Sequence, residues 1–121
     1  MLDAGALLAL ERADPRVRAL LREALRLGTA LVVPAGVLAQ AWRGSPRQAP
    51  VAALVKAATT EIESLDAALA KAAGILCGHR GTSDIVDASV VLAARRRDAP
   101  VVTSDPDDLL RLDGTLTVHV I

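Results

Sequence analysis

Aromatic side chains are almost missing from this 121-residue chain, which has no Tyr, no Phe and one Trp, Trp42. A protein that reads single strands by stacking bases on rings is therefore excluded. Cysteine is equally scarce: Cys77 is alone, so neither an internal disulfide nor a cysteine-based zinc site can form. Lysine occurs only at Lys56 and Lys71, and arginine supplies the rest of the 14 basic residues. Fourteen acidic residues balance them, leaving a formal net charge of zero. No overall field draws in nucleic acid, so any such contact must come from a local patch. Long apolar runs are lacking too. The best, Leu27 to Trp42, is broken by Gly28, Pro34, Gly36 and Gln40, which excludes a membrane span. The first residues carry no basic region before their short apolar run, which argues against a signal peptide and sets a cytoplasmic expectation.

What is present is a globular composition. Hydrophobic residues make up 52% and charged residues 23%, which points to one folded domain over residues 1–121. Asp14 and Pro15 form an N-cap and first-turn pair for an amphipathic helix from Asp14 to Leu27, ended by Gly28. Thr29 to Val33 is a short apolar strand stopped by Pro34. Helices are predicted over Ala35–Arg43, over Arg47–Ala58 beyond a Gly44-Ser-Pro46 break, and from Asp66 to about Cys77. Thr60–Leu65 is a strand. Gly78 to Thr82 is a loop, and Ser83–Arg97 a helix. Val101–Thr103, Pro106–Leu112 and Thr115–Ile121 follow as strand, short helix and closing strand. Continuous apolar strands alternating with helices predict a three-layer α/β/α sandwich with a parallel sheet of four to five strands. Only Met1 and Leu2 precede Asp3, few for a central strand.

Three aspartates sit where burial should be unfavourable. Asp3 follows the first apolar pair, Asp87 lies inside the apolar stretch Ile85–Ala94, and Asp105 ends the run from Ala99. A carboxylate beside apolar core costs several kcal/mol unless it is paired, hydrogen-bonded or metal-bound. In open α/β sheets ligands bind beyond the carboxyl ends of the strands, where Asp3 and Asp105 should both project. Asp84 and Asp87 are three residues apart and share a helix face. An oxygen-only, carboxylate-rich cluster favours Mg²⁺ or Mn²⁺. Each residue also has a plainer use, since Asp84 suits a first helical turn and Asp105-Pro106 suits an N-cap and first position.

The order and spacing of three blocks carry a resemblance. Leu-Asp-Ala-Gly-Ala-Leu-Leu-Ala-Leu at 2–10, Thr-Ser-Asp-Ile-Val-Asp-Ala-Ser-Val-Val at 82–91 and Val-Val-Thr-Ser-Asp-Pro-Asp-Asp-Leu at 101–109 resemble PIN-domain ribonucleases. Length and block order resemble the VapC-type toxins of toxin–antitoxin systems. The resemblance implies a metal-dependent endoribonuclease held inactive by a cognate antitoxin, with RNA as substrate. It implies Asp3, Asp87 and Asp105 as acidic catalytic ligands, with a hydroxyl of Ser104 or Thr103 beside them. The family's second acidic position falls on Gln40, which offers only a neutral carbonyl, and Asp84 is the nearest substitute charge.

Arg43 and Arg47 flank that helix and suit phosphate contacts. His79 and Arg80 precede the acidic helix, where a plain surface role is favoured. A mean hydropathy of +0.38 and an apolar segment from Ala49 to Leu76 predict a homodimer face, an antitoxin groove, or both. Two other classes compete: a PIN-like RNA- or antitoxin-binding module whose catalysis has decayed at Gln40, and a phospho-acceptor receiver domain. The receiver fits poorly, because no acidic pair follows the first strand and no lysine occurs beyond Lys71.

Overall fold

Asp3 begins the first helix in the computed structural model, which describes residues 1–121. Its carboxylate accepts the Ala6 N–H at 2.8 Å and caps α1 (Ala4–Glu11). This helix is apolar nearly all round, with Ala6, Leu7, Ala9 and Leu10 buried, as expected of a core helix. The next one, α2 (Pro15–Arg26), is its opposite. Asp14 caps it and Pro15 occupies its first turn, but only Val17 is buried, so its arginine face stays in solvent. Gly28, at φ +67°, then turns the chain into β1 (Leu31–Pro34).

After β1 come α3 (Ala35–Ala41), a short 3₁₀ turn at Pro46–Gln48, α4 (Ala49–Lys56) and β2 (Thr60–Glu63). The helix expected over Arg47–Ala58 thus splits, because Pro46 and Pro50 each fit only a first turn. α5 (Ala67–Arg80) is capped by Asp66 and runs three residues beyond the expected Cys77 end. Gly78 does not break it: an interior glycine costs only about 1 kcal/mol. Gly81 ends it, at φ +66°, in the left-handed conformation that suits a C-terminal glycine. Then follow α6 (Ile85–Arg97), β3 (Val101–Thr103), α7 (Pro106–Leu112) and β4 (Val118–Val120).

All strand pairing is parallel, as the continuous apolar strands implied. β1 pairs with β2 from Leu31↔Thr60 to Pro34↔Glu63, and β3 pairs with β4 from Val101↔Val118 to Thr103↔Val120. These are two two-stranded sheets, not the single sheet of four to five strands expected. The reason is the brevity of the opening segment. Leu2 donates to Val32 O at 2.9 Å, while Val102 donates to Met1 O at 2.8 Å and Asp3 to Val102 O at 3.3 Å. The first residues therefore lie between the two sheets, but form only one isolated bridge, Leu2↔Val102.

One cluster of 23 buried hydrophobic residues spans both halves, from Leu2 and Leu7 through Val33 and Val37 to Val90, Val101 and Leu109. Helix α6 is its spine, with Ala88, Val90, Val91, Ala93 and Ala94 buried. Its last turn is anchored from two sides. Arg96 and Arg97 pair with the buried Glu63 at the end of β2, and Arg95 pairs with the buried Asp113. No helix is long and apolar enough to cross a membrane.

Candidate active site

The fold assembles its acidic residues from the ends of four elements. Asp3 leaves the opening segment and is buried. Burial pushes its carboxyl above the usual range, and the Asp105 charge adds to this. The Thr103 hydroxyl and the Ala6 and Gly5 N–H groups work in the other direction. Asp87, half-buried in the first turn of α6, is raised further, to about 7. Desolvation leads, followed by the charges of Asp84, Asp108 and Asp3. Asp3 thus feels Asp105, and Asp87 feels Asp3: one electrostatic cluster links the three aspartates singled out in the sequence.

Each acid has a distinct local position. Asp84 is the N-cap of α6, its Oδ1 accepting the Asp87 N–H at 3.0 Å. It therefore caps the helix instead of standing within the first turn as expected, and it is also exposed beside Asp87. Asp105 precedes α7 but makes no side-chain capping hydrogen bond. Its N–H donates to Thr103 Oγ1 at 3.0 Å, so Thr103, fully buried, fixes the backbone at the sheet edge and leaves the Asp105 carboxylate free. Ser104 approaches α1 so closely that a Cβ placed on Gly5 would lie 2.1 Å from Ser104 Oγ and 3.3 Å from Asp3 Oδ1. Only glycine permits that approach, which brings a hydroxyl beside the Asp3 carboxylate.

A cavity of about 250 Å³ opens next to this cluster, lined by Asp84, Asp87, Asp108, Arg80, Arg111, Thr82, Gly81 and Leu112. Asp108 and Arg111 were missed in the sequence. The signal for Asp108 was its i+3 spacing from Asp105, the same spacing that joins Asp84 to Asp87. Its carboxylate pairs with Arg111 Nη1 at 3.0 Å. Cys77, buried in α5, ties that helix to the start of α6, its thiol donating to the Asp84 carbonyl at 3.4 Å.

Of the residues singled out in the sequence, Asp84 and Asp87 line this cavity, whereas Asp3, Thr103, Ser104, Asp105, Gln40, Arg43 and Arg47 do not. Gln40, Arg43 and Arg47 line a separate depression with Leu8, Glu11, Ala41, Ser45 and Gln48. Leu8 and Glu11 lie five and eight residues along α1 from Asp3, roughly 8 and 12 Å at 1.5 Å per residue. Val37 and Ala41 take the buried stripe of α3, leaving Gln40 exposed. Arg43 donates to the carbonyls of Ala39 and Trp42, and Arg47 approaches Glu11 at 3.7 Å. Their local partners are protein groups.

No group of three or more carboxylate, His or Cys side chains converges on one point in the geometry a bound ion requires. The donor chemistry nevertheless suits a hard cation, being oxygen-only. The raised carboxyls of Asp3 and Asp87 reflect burial first and the neighbouring carboxylates second.

A parallel α/β fold with acids gathered where its strands end and its helices begin places them at the edge where open α/β sheets bind ligands. The PIN-domain family model matches residues 1–114. The chain belongs to the PIN-domain family, whose members are generally nucleases that usually use divalent metals. A search of curated proteins finds no match.

Proposed function

We propose that this protein is a Mg²⁺- or Mn²⁺-dependent endoribonuclease, the VapC-type toxin of a toxin–antitoxin pair. The observation that carries the reading is the electrostatic cluster of Asp3, Asp87 and Asp105, with Asp87 raised to about 7 by burial and by its acidic neighbours. Asp3, Asp87 and Asp105 would hold the cation, with Asp84 as a further oxygen donor. Once bound, such a cation lowers the pKa of a water and neutralises charge developing on the phosphate. The protein's own part is positional. Asp84 fixes the start of α6 and therefore Asp87. Thr103 holds the backbone of Asp105, and the lack of a side chain at Gly5 leaves room for Ser104 beside Asp3.

The cognate antitoxin and a second copy of the chain are the proposed protein partners. The exposed Trp42, in a groove with Leu38, Ala39 and Val55, is the apolar surface that supports such contacts.

Purified protein free of antitoxin is expected to cleave RNA with Mg²⁺ or Mn²⁺, to stop with EDTA, and to lose activity in Asp87→Asn. Cleavage persisting unchanged in both tests would overturn the reading. The competing reading is an RNA- or antitoxin-binding module without turnover, favoured by one observation: the position that the resemblance makes acidic is Gln40, which carries no charge. Metal-dependent turnover by the wild type excludes it.

A further inference from the structure

The acidic cavity has two arginines on its wall, and they differ. Arg111 is paired with Asp108. Arg80, the last residue of α5, is exposed and makes no ion pair, although Asp84, Asp87 and Asp108 line the same cavity. Arg12, Arg18, Arg22 and Arg43 also lack a carboxylate partner, but none of them lines this cavity.

The backbone that carries Arg80 is firmly placed. Gly81, left-handed at φ +66°, donates its N–H to the Cys77 carbonyl, and Thr82 donates to the same carbonyl at 3.1 Å. The Cys77 thiol then ties the helix end to Asp84. Arg80 thus lines the cavity from a fixed backbone, with the donors of its guanidinium unspent. Its planar fork matches phosphate oxygens. The plainer use, a favourable contact with the C-terminal end of the helix dipole, accounts for a cation at this position. It does not account for the Arg80 side chain sharing a cavity with Asp87.

We infer that Arg80 is a positioning residue that grips an RNA phosphate next to the one being cleaved and lays the strand across the acidic cavity. The inference rests on the nuclease reading above. Arg80 touches the substrate backbone away from the reacting atoms, so its loss weakens binding more than it slows turnover.

The test uses full-length protein carrying Asp87→Asn, so that RNA stays intact, in EDTA. Binding of a fluorescent single-stranded RNA is followed by anisotropy over a series of salt concentrations. Each phosphate contact on a single strand contributes about 0.7 to the slope of log K against log salt. Arg80→Ala is expected to lower that slope by about 0.7, Arg80→Lys to retain it, and Arg22→Ala on α2 to leave it unchanged. With Asp87 intact and Mn²⁺ present, Arg80→Ala should raise KM about threefold to tenfold with little change in kcat. An unmoved slope in Arg80→Ala, an equal fall in Arg22→Ala, or no RNA binding even at low salt each overturns the inference. The two readings fail separately. A slope that falls in a protein that never cleaves RNA sinks the nuclease and keeps the phosphate grip, and cleavage with an unmoved slope does the reverse.

Discussion

Replacing Asp87 by asparagine should stabilise the metal-free protein while abolishing its cleavage of RNA. The folded state raises this carboxyl from 3.8 to about 7, so ionised Asp87 is disfavoured there relative to the unfolded chain. The sign follows from linkage: the stability that protonated Asp87 confers is complete below about pH 4 and is lost as pH rises to 7. A shift of roughly 3 units would correspond to about 4 kcal/mol at 1.36 kcal/mol per unit. Asp87 is only half-buried, and solvent screening reduces this to about 1–2 kcal/mol. Asparagine keeps the shape and removes the charge, so Asp87→Asn should gain about that much at pH 8. In a domain of this size the melting temperature should rise by roughly 4–8 °C. Thermal unfolding in EDTA, followed by circular dichroism from pH 4 to pH 8, measures it. The gap between variant and wild type should be small at pH 4, widen to about pH 7, and stay constant above. A gap independent of pH, or a variant less stable than wild type at pH 8, refutes the argument. Adding Mn²⁺ should then stabilise the wild type, by about 2.7 kcal/mol at one hundred times Kd, and leave the variant almost unmoved.

Gly5→Ala should separate site geometry from stability. Ala gains up to about 1 kcal/mol of helix propensity, which offsets the displacement of Ser104, so the melting point should barely move while cleavage falls several-fold; Gly5→Ala with Ser104→Ala, assayed together, should recover part of the loss. Asp113 is buried and accepts from Arg95 and from both the N–H and hydroxyl of Thr115, which hold its carboxyl down to about 2. Its contribution is present above about pH 4 and is lost as pH falls towards 2, and Asp113→Asn should cost about 2 kcal/mol at neutral pH, read by urea unfolding. Gln40→Glu should alter Mn²⁺ affinity by less than about twofold by calorimetry, since Gln40 is exposed and exposed charges interact only weakly through water; a tenfold gain would place Gln40 at the metal.

How far the sequence could be read depended on whether a local rule decided each element. The caps at Asp14, Asp66 and Asp84 and the first-turn prolines acted where the rules for helix starts place them. So α2, α5 and α6 begin within about two residues of expectation. The acids of α6 were legible for the same reason, an i,i+3 pair on an otherwise apolar helix. Three features escaped because tertiary structure decides them. Gly78 reads as a break, yet α5 continues to Gly81, and that extra turn puts Arg80 on the cavity wall. The sheet is divided because Met1–Asp3 supplies one bridge between its halves, and strand count cannot be read from apolar runs that short. Gln40 was placed by its position after β1, whereas its exposure follows from which stripe of α3, Val37 and Ala41, enters the core.

The charge of the site changes meaning in this light. The sequence put the deficit at Gln40 and offered Asp84 as its substitute. In the fold, Asp84 is already engaged as a cap and Asp108 is engaged by Arg111. Around the cavity, three carboxylates (Asp84, Asp87, Asp108) face two guanidiniums (Arg80, Arg111), and Asp3 and Asp105 add two more carboxylates to the electrostatic cluster. So anionic a site should draw a divalent cation and repel a phosphodiester while the cation is absent. A bound cation offsets that charge, and a phosphate entering beside Arg80 then meets less repulsion. Metal and RNA are then expected to bind with positive coupling, each raising the other's affinity by the same factor, as linkage requires. Calorimetric titration of Mn²⁺ into Asp87→Asn would miss this, because the variant removes the ligand. Arg80→Ala keeps the ligands, and there the metal affinity in the absence of RNA should be unchanged or higher while the gain on adding RNA shrinks. Equal metal affinity with and without RNA in the wild type would show that the two ligands bind independently.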